Sequence, residues 1–291
     1  MARAVCCDVA AVGRVRVPVE QLPELRRCPG PVSGPALSAT FLKNADEQTV
    51  YGLTAVYLAV QDAGLAASSF GRWGVVAAPR KLGRSAMAQS IPHYAKEGAW
   101  GMSPHLIPNR SLHCISGAIS CALKMKGPNV SVGDGPSEAL PTALAMMAQQ
   151  SIEGIWLVLT GFDPELAPDC SGSPVSPSIG VGVALALMPA RSGWQGLRLS
   201  LEYEQAFGPP VARRAALDLF RLIALLDAPV VGPRSVPLQD FGASGRLALR
   251  VEGEALPTRR DPAHVPAVQA PHTAEKSFSS PVSSPGLEAA R

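Results

Sequence analysis

The stretch GPNVSVGDGPSEA, Gly127 to Ala139, decides how this chain is read. Gly127-Pro128-Asn129 is a turn. Val130-Ser131-Val132 is a short strand, and Gly133-Asp134-Gly135-Pro136-Ser137 is a tight turn into a helix expected over Ser137 to Ile152. Pro141 lies early in that helix. It marks either the true start or a kink, because a proline is tolerated only where the helix has an amide to spare.

The same alternation of strand and helix continues on both sides. Downstream, Ile155 to Leu159 and Val181 to Met188 are continuous apolar runs, the kind buried on both faces of a sheet. Leu197 to Glu204 alternates and reads as a third strand. Ala212 to Leu226 reads as an amphipathic helix, with Leu217, Phe220 and Leu225 inward and Arg213, Arg214 and Arg221 polar. Arg246 to Glu252 is a last strand. Upstream, Ser111 to Lys124 reads as a helix of small residues, with Ser116, Gly117, Ala118, Ser120 and Ala122. Pro104 to Pro108 reads as a loop. Ser85 to Gly98 is expected to be helical in part, with Pro92 against a single helix. Trp73 to Ala78 is a buried-type strand. Asn44 looks like a helix N-cap with Glu47 completing a capping box. Val50, Leu53, Val56, Tyr57 and Val60 follow at helical spacing, and Gly64 sits where a helix ends. Pro23 to Pro35 reads as a loop, and Ala4 to Val17 as one or two strands around a turn at Gly13. This order predicts a layered α/β domain.

Composition narrows the function classes. The 291 residues are 47% hydrophobic and 17% charged, with net charge +3 and no basic block. Nucleic-acid binding therefore lacks electrostatic support. The six cysteines, Cys6, Cys7, Cys28, Cys114, Cys121 and Cys170, form no CxxC pair and no zinc spacing with histidine, and they read as buried reduced thiols. No metal or cofactor is expected. Met1 to Val19 has no secretory apolar core, and no run approaches the roughly 20 apolar residues of a membrane helix. The expected setting is the cytoplasm, with no membrane contact. From residue 255 to 291 the chain is rich in Pro, Ser and Ala and reads as a disordered tail.

Several motifs in fixed order resemble the β-ketoacyl synthases, which have a thiolase-type fold. Ile107-Pro108-Asn109-Arg110-Ser111, Ser116-Gly117-Ala118-Ile119-Ser120 and Gly127-Pro128-Asn129 are similar to a block that, in those enzymes, leads through a strand to a nucleophilic cysteine at a helix start. Ile155 to Gly161 and Gly180 to Leu187 resemble the two later strands of the same half. Asp46 to Leu65 resembles its early helix. The resemblance implies a thiolase-like layered α/β/α fold. It comprises an N-terminal-half domain over 1–204 and a truncated second half over 205–254 that packs on it.

A Claisen condensation needs a thiolate, whose pKa is lowered at a helix N-terminus, and two imidazoles, or a His and an Asn, to handle the malonyl group. Counted from Gly127-Pro128-Asn129, the family's nucleophile falls at Pro136, flanked by Gly135 and Ser137. Proline has no nucleophile, and Ser137 is an ordinary N-cap choice with no evident base. Asp134 would oppose a thiolate at the same turn. Of the histidines, His93, His105, His113, His264 and His272, none lies in the HGTGT-like or GH motifs of the family's second half. His113 and Cys114 are adjacent in a helix and do not face each other. The resemblance therefore implies a non-catalytic relative, with no catalytic residues. Such a chain pairs with itself or with an active ketosynthase, as chain-length factors do, or serves as a scaffold in fatty acid or polyketide biosynthesis. The dimer contact would run through the strand at Val130 to Val132. An acidic acyl carrier protein would meet Lys124-Met125-Lys126 or Arg213-Arg214. Two alternatives remain open: an acyltransferase with Ser137 or Cys114 as relocated nucleophile, and a plain acyl-binding module.

Overall fold

Among the described residues eight strands form one mixed sheet, in the order β3-β2-β4-β5-β1-β6-β8-β7. The computed structural model describes residues 5–27, 37–65, 70–104, 106–133, 135–149, 152–169, 171, 176–204, 217–228, 232–241 and 245–253. In chain order the elements are β1 (Val5–Pro18), α1 (Leu22–Arg27), α2 (Ala39–Asn44), α3 (Glu47–Asp62), β2 (Trp73–Pro79), α4 (Arg84–Glu97), α5 (Leu106–Arg110), α6 (Cys114–Ala122), β3 (Asn129–Ser131), α7 (Pro136–Gln149), β4 (Gly154–Asp163), β5 (Ile179–Pro189), β6 (Arg198–Glu204), α8 (Leu219–Asp227), β7 (Arg234–Asp240) and β8 (Arg246–Glu252). The expected tail, Arg213, Arg214, Asp134, Cys28, Cys170, His105, His264 and His272 lie outside the described residues.

β2 runs parallel to β3 and β4; every other pairing is antiparallel. β4 is buried on both faces, as its unbroken apolar run predicts. Trp156 and Val158 join one core with α1, α2, α3 and α6. Ile155, Leu157 and Leu159 join the other, with Ala139, Leu140, Ala143 and Leu144 of α7 and Leu219, Leu222 and Leu226 of α8. The result is the expected α/β/α layering.

α3 is buried almost all round, from Gln48 to Val60 with Leu58 only partly covered. It lies directly on β1 and β5 because glycines floor the contact. A Cβ on Gly13 would sit 1.9 Å from the Ala55 carbonyl oxygen, and one on Gly180 would sit 2.0 Å from the Tyr51 ring.

Several local expectations change. Gly13 is not a turn: β1 is a single strand through it, and the glycine serves the approach of α3. The N-cap of α3 is Asp46, whose carboxylate accepts from the Gln48 amide, while Asn44 closes α2. Gly64 does follow the end of α3, with φ of +64°. Part of the supposed Pro23–Pro35 loop is α1, where Pro23 occupies the tolerant first turn. α4 is one helix despite Pro92, and the Pro104–Pro108 loop contains the start of α5. α6 is shorter than its pattern. α7 begins at Pro136, so Pro141 lies inside it. α8 begins at Leu219 because Asp218 caps it. β7 was not expected at all; Pro237 is tolerated there because β7 is the outer strand of the sheet.

The glycine floor predicts that Gly13→Ala loses at least about 3 kcal/mol, since the obstructing atom is backbone and cannot swing aside. Urea denaturation should show a markedly lower midpoint with unchanged slope.

Candidate functional site

β3 ends at Ser131, and the chain turns through Gly135, which adopts φ of +64°. The Gly135 carbonyl accepts the amides of Glu138 and Ala139, so α7 starts immediately after it. Pro136 is the first helical residue and is buried. A proline fits this position because its fixed φ suits the first turn and its missing amide is not needed there. The position at which the resemblance expects a thiol thus holds an apolar ring in the interior.

Ser137 is the second residue of α7 and not its N-cap. Its side chain is buried, and its Oγ donates to the Leu217 carbonyl at 3.1 Å. The Gln239 side-chain amide donates to the Ser137 carbonyl at 3.2 Å. Leu217 precedes α8 and Gln239 lies on β7. Segments beyond residue 204 therefore close over the start of α7. No imidazole or carboxylate hydrogen-bonds the Ser137 hydroxyl among the described residues. Nothing in the local sequence signals these two contacts, which join residues far apart in the chain.

The other proposed nucleophile is also enclosed. Cys114 is buried, and its Sγ lies 3.1 Å from Thr49 Oγ1. Burial pushes its thiol up to about 11, against the smaller opposing pull of the Thr49 hydrogen bond. His113 precedes α6 and is exposed, so it does not form a dyad with the buried Cys114. His93 lies on the exposed side of α4. Cys7 is buried and its thiol is raised to about 12, chiefly by desolvation. Cys121 is exposed, contrary to the expectation of buried thiols. Cys6, Cys7, Cys114 and Cys121 form no disulfide. No group of three or more His, Cys, Asp or Glu suited to a metal occurs among the described residues.

A partly buried ionic cluster lies away from α7. Asp46, 1% exposed, receives Arg110 Nη1 at 3.1 Å. Glu47 lies 3.5 Å from the same Arg110 atom and 4.0 Å from Arg26. Arg26 also donates to the carbonyls of Leu42 and Ala45. The cluster ties α1, α2 and α5 to the start of α3. Arg110 belongs to the Ile107–Ser111 motif, and this tie is what the structure shows it doing. Burial and the neighbouring Glu47 push the Asp46 carboxyl up to about 6, against the pull of Arg110 and the Gln48 amide.

Two outcomes follow. Alkylation by iodoacetamide at pH 8 should label Cys121 at least tenfold faster than Cys7 or Cys114, read by peptide mass spectrometry. For Asp46, the folded pKa lies above the unfolded value near 3.9. Its stabilising contribution is thus complete below that value and is lost as pH rises through about 6. Asp46→Asn keeps the cap and removes the titration. Its urea midpoint should fall less than the wild type's between pH 4 and pH 7.

Residues 35–153 match the family model of the Beta-ketoacyl synthase, N-terminal domain. Among curated proteins no sequence matches. Among solved structures, one similar chain comes from the AntDE:AntF complex, a type II PKS acyl-carrier protein with its ketosynthase bound to the hexaketide. The TM-score is 0.51 and the identity 14%, over 71% of this chain and 70% of that one. The ishigamide ketosynthase/chain length factor gives TM-score 0.45 and 17% identity, over 68% of each chain. The ketosynthase ApeO in complex with its chain length factor ApeC, from Xenorhabdus doucetiae, gives 0.47 and 13%, over 84% of this chain and 98% of that one. With its sheet order and its two helical layers the chain has a thiolase-like α/β fold, and its residues 35–153 are similar to the β-ketoacyl synthase N-terminal domain.

Proposed function

We propose that this chain is a non-catalytic ketosynthase-like protein that pairs with a thiolase-fold chain in fatty acid or polyketide biosynthesis. One observation carries the reading. At the family's nucleophile position α7 opens with buried Pro136, and the neighbouring Ser137 hydroxyl is held by the Leu217 carbonyl. A transferable acyl group needs a thiolate or an activated hydroxyl beside a base. Pro136 supplies neither, Ser137 hydrogen-bonds a carbonyl, and the Cys114 thiol stays protonated at neutral pH because burial raises it.

Pairing is supported by the sheet edge. β3 has β2 as its one neighbour among the described residues, so its outer backbone groups are available to a further strand. Within this reading, residues 1–204 are the ketosynthase-like domain. The segment 205–254 extends the sheet with β8 and β7 and adds α8 to the core that α7 forms. Lys124 and Lys126 are exposed at the end of α6 and suit an acidic carrier protein, the kind of partner present in the AntDE:AntF complex. The reduced thiols and the lack of a helix long and apolar enough to cross a membrane, among the described residues, fit a cytoplasmic setting.

Intact-mass spectrometry after incubation with a panel of acyl-CoA and acyl-carrier-protein thioesters should show less than about 1% acylated protein. A stoichiometric adduct mapped to Ser137 or Cys114 would make the chain an acyltransferase and remove the non-catalytic reading.

A further inference from the structure

We propose that the groove between α8 and β7 is a binding site for a chain-shaped anion, a single carboxylate or phosphate head on an alkyl tail. The inference goes beyond the reading above and depends neither on pairing nor on the lack of catalysis. The groove has a volume of about 370 Å³, within the roughly 300–1,000 Å³ of pockets that hold small molecules. Leu217 and Leu225 line it beside α8, and Val236 and Pro237 line it from β7. Its place follows from the packing. α8 turns Leu219, Leu222 and Leu226 into the core, which leaves Arg221, Ala224 and Leu225, at one-turn spacing, toward β7. β7 is the outer strand of the described sheet.

Two cations share this apolar groove and choose its occupant. Arg221 lines it from α8 and Arg234 from the start of β7. Apolar walls alone would suit any hydrocarbon. Two guanidiniums select an anionic head, because their planar forks match the oxygens of a carboxylate or a phosphate. Each guanidinium has five donors, so contacts made within the chain leave donors for a ligand. The carboxylates that flank α8 are already engaged. Asp218 accepts the Arg221 backbone amide at 2.8 Å, and Asp227 pairs with Arg14 on β1. Among the described residues no aromatic ring lines the groove, so a nucleobase has nothing to stack on. An alkyl chain needs only the leucine, valine and proline surfaces.

The test is calorimetric titration of the full chain with decanoate, decyl phosphate, octanoate, octanol and inorganic phosphate. Decanoate or decyl phosphate should bind 1:1, and the tighter of the two identifies the head. Octanoate should bind about tenfold more weakly than decanoate, at up to about fourfold per methylene. Octanol should be at least about tenfold weaker than octanoate, and inorganic phosphate at least about tenfold weaker than decyl phosphate. Arg234→Gln should weaken the anions about tenfold and leave octanol unchanged. Ala224→Phe fills the groove from an exposed position, and it should weaken every alkyl ligand at least about tenfold at an unchanged melting temperature. The site is overturned if neither decyl anion binds, if octanol binds as tightly as octanoate, or if anion binding survives both variants.

Discussion

The contact of α3 with the sheet is the constraint on which the rest depends. Gly13 on β1 and Gly180 on β5 let the helix backbone and the Tyr51 ring rest where side chains would otherwise stand. That closeness permits α3 to be covered on its other sides by α1, α2 and α6, so that it is buried nearly all round. The ionic cluster of Asp46, Glu47, Arg110 and Arg26 then fixes the end of the helix that leads into this core. A buried charge cluster of this kind is costly unless every member is paired. Here the arginines share two carboxylates and the carbonyls at the end of α2.

The opposite face of the sheet is organised by a different need. α7 presents Ala139, Leu140, Ala143 and Leu144 to the sheet, and α8 adds Leu219, Leu222 and Leu226 beside it. The β7–β8 hairpin lengthens the sheet on the far side of β6. The same late segments that complete this layer reach the start of α7 through the Leu217 carbonyl and the Gln239 amide. In this chain the structure that finishes the core also occupies the ground in front of Pro136. The buried Pro136 and the contacts that hold Ser137 therefore belong to one arrangement.

Most of the strands legible in the sequence have either a continuous apolar run or an alternation of apolar and polar residues. β2, β4, β5, β6 and β8 stand where Trp73–Ala78, Ile155–Leu159, Val181–Met188, Leu197–Glu204 and Arg246–Glu252 placed them. Prolines and glycines misled wherever their local meaning was overridden by packing. Gly13 looked like a turn because its true reason, the nearness of Ala55, lies in another element. Pro92 looked like a helix end, yet α4 continues through it on an exposed side. Pro237 hid β7, because a strand with a proline is admissible only at a sheet edge and the edge is a property of the whole sheet. At the candidate site, the position of Pro136 at a helix start was readable from the turn before it. The role of Ser137 was not, since its hydroxyl partner is 80 residues away in sequence.

β1 pairs with β5 along most of its length and with β6 at its beginning: Cys7 faces Pro189, and Val5 faces Leu201. β1 thus waits until Ile179–Pro189 has been made before either neighbour exists. Topologies so dominated by distant pairings fold slowly and leave hydrophobic strands uncovered during synthesis. In the nascent protein, β1 is a sticky, unmatched ribbon until β5 has been made. Its production in the cell therefore depends on how well the translation and chaperone machinery shields that ribbon until its partners emerge.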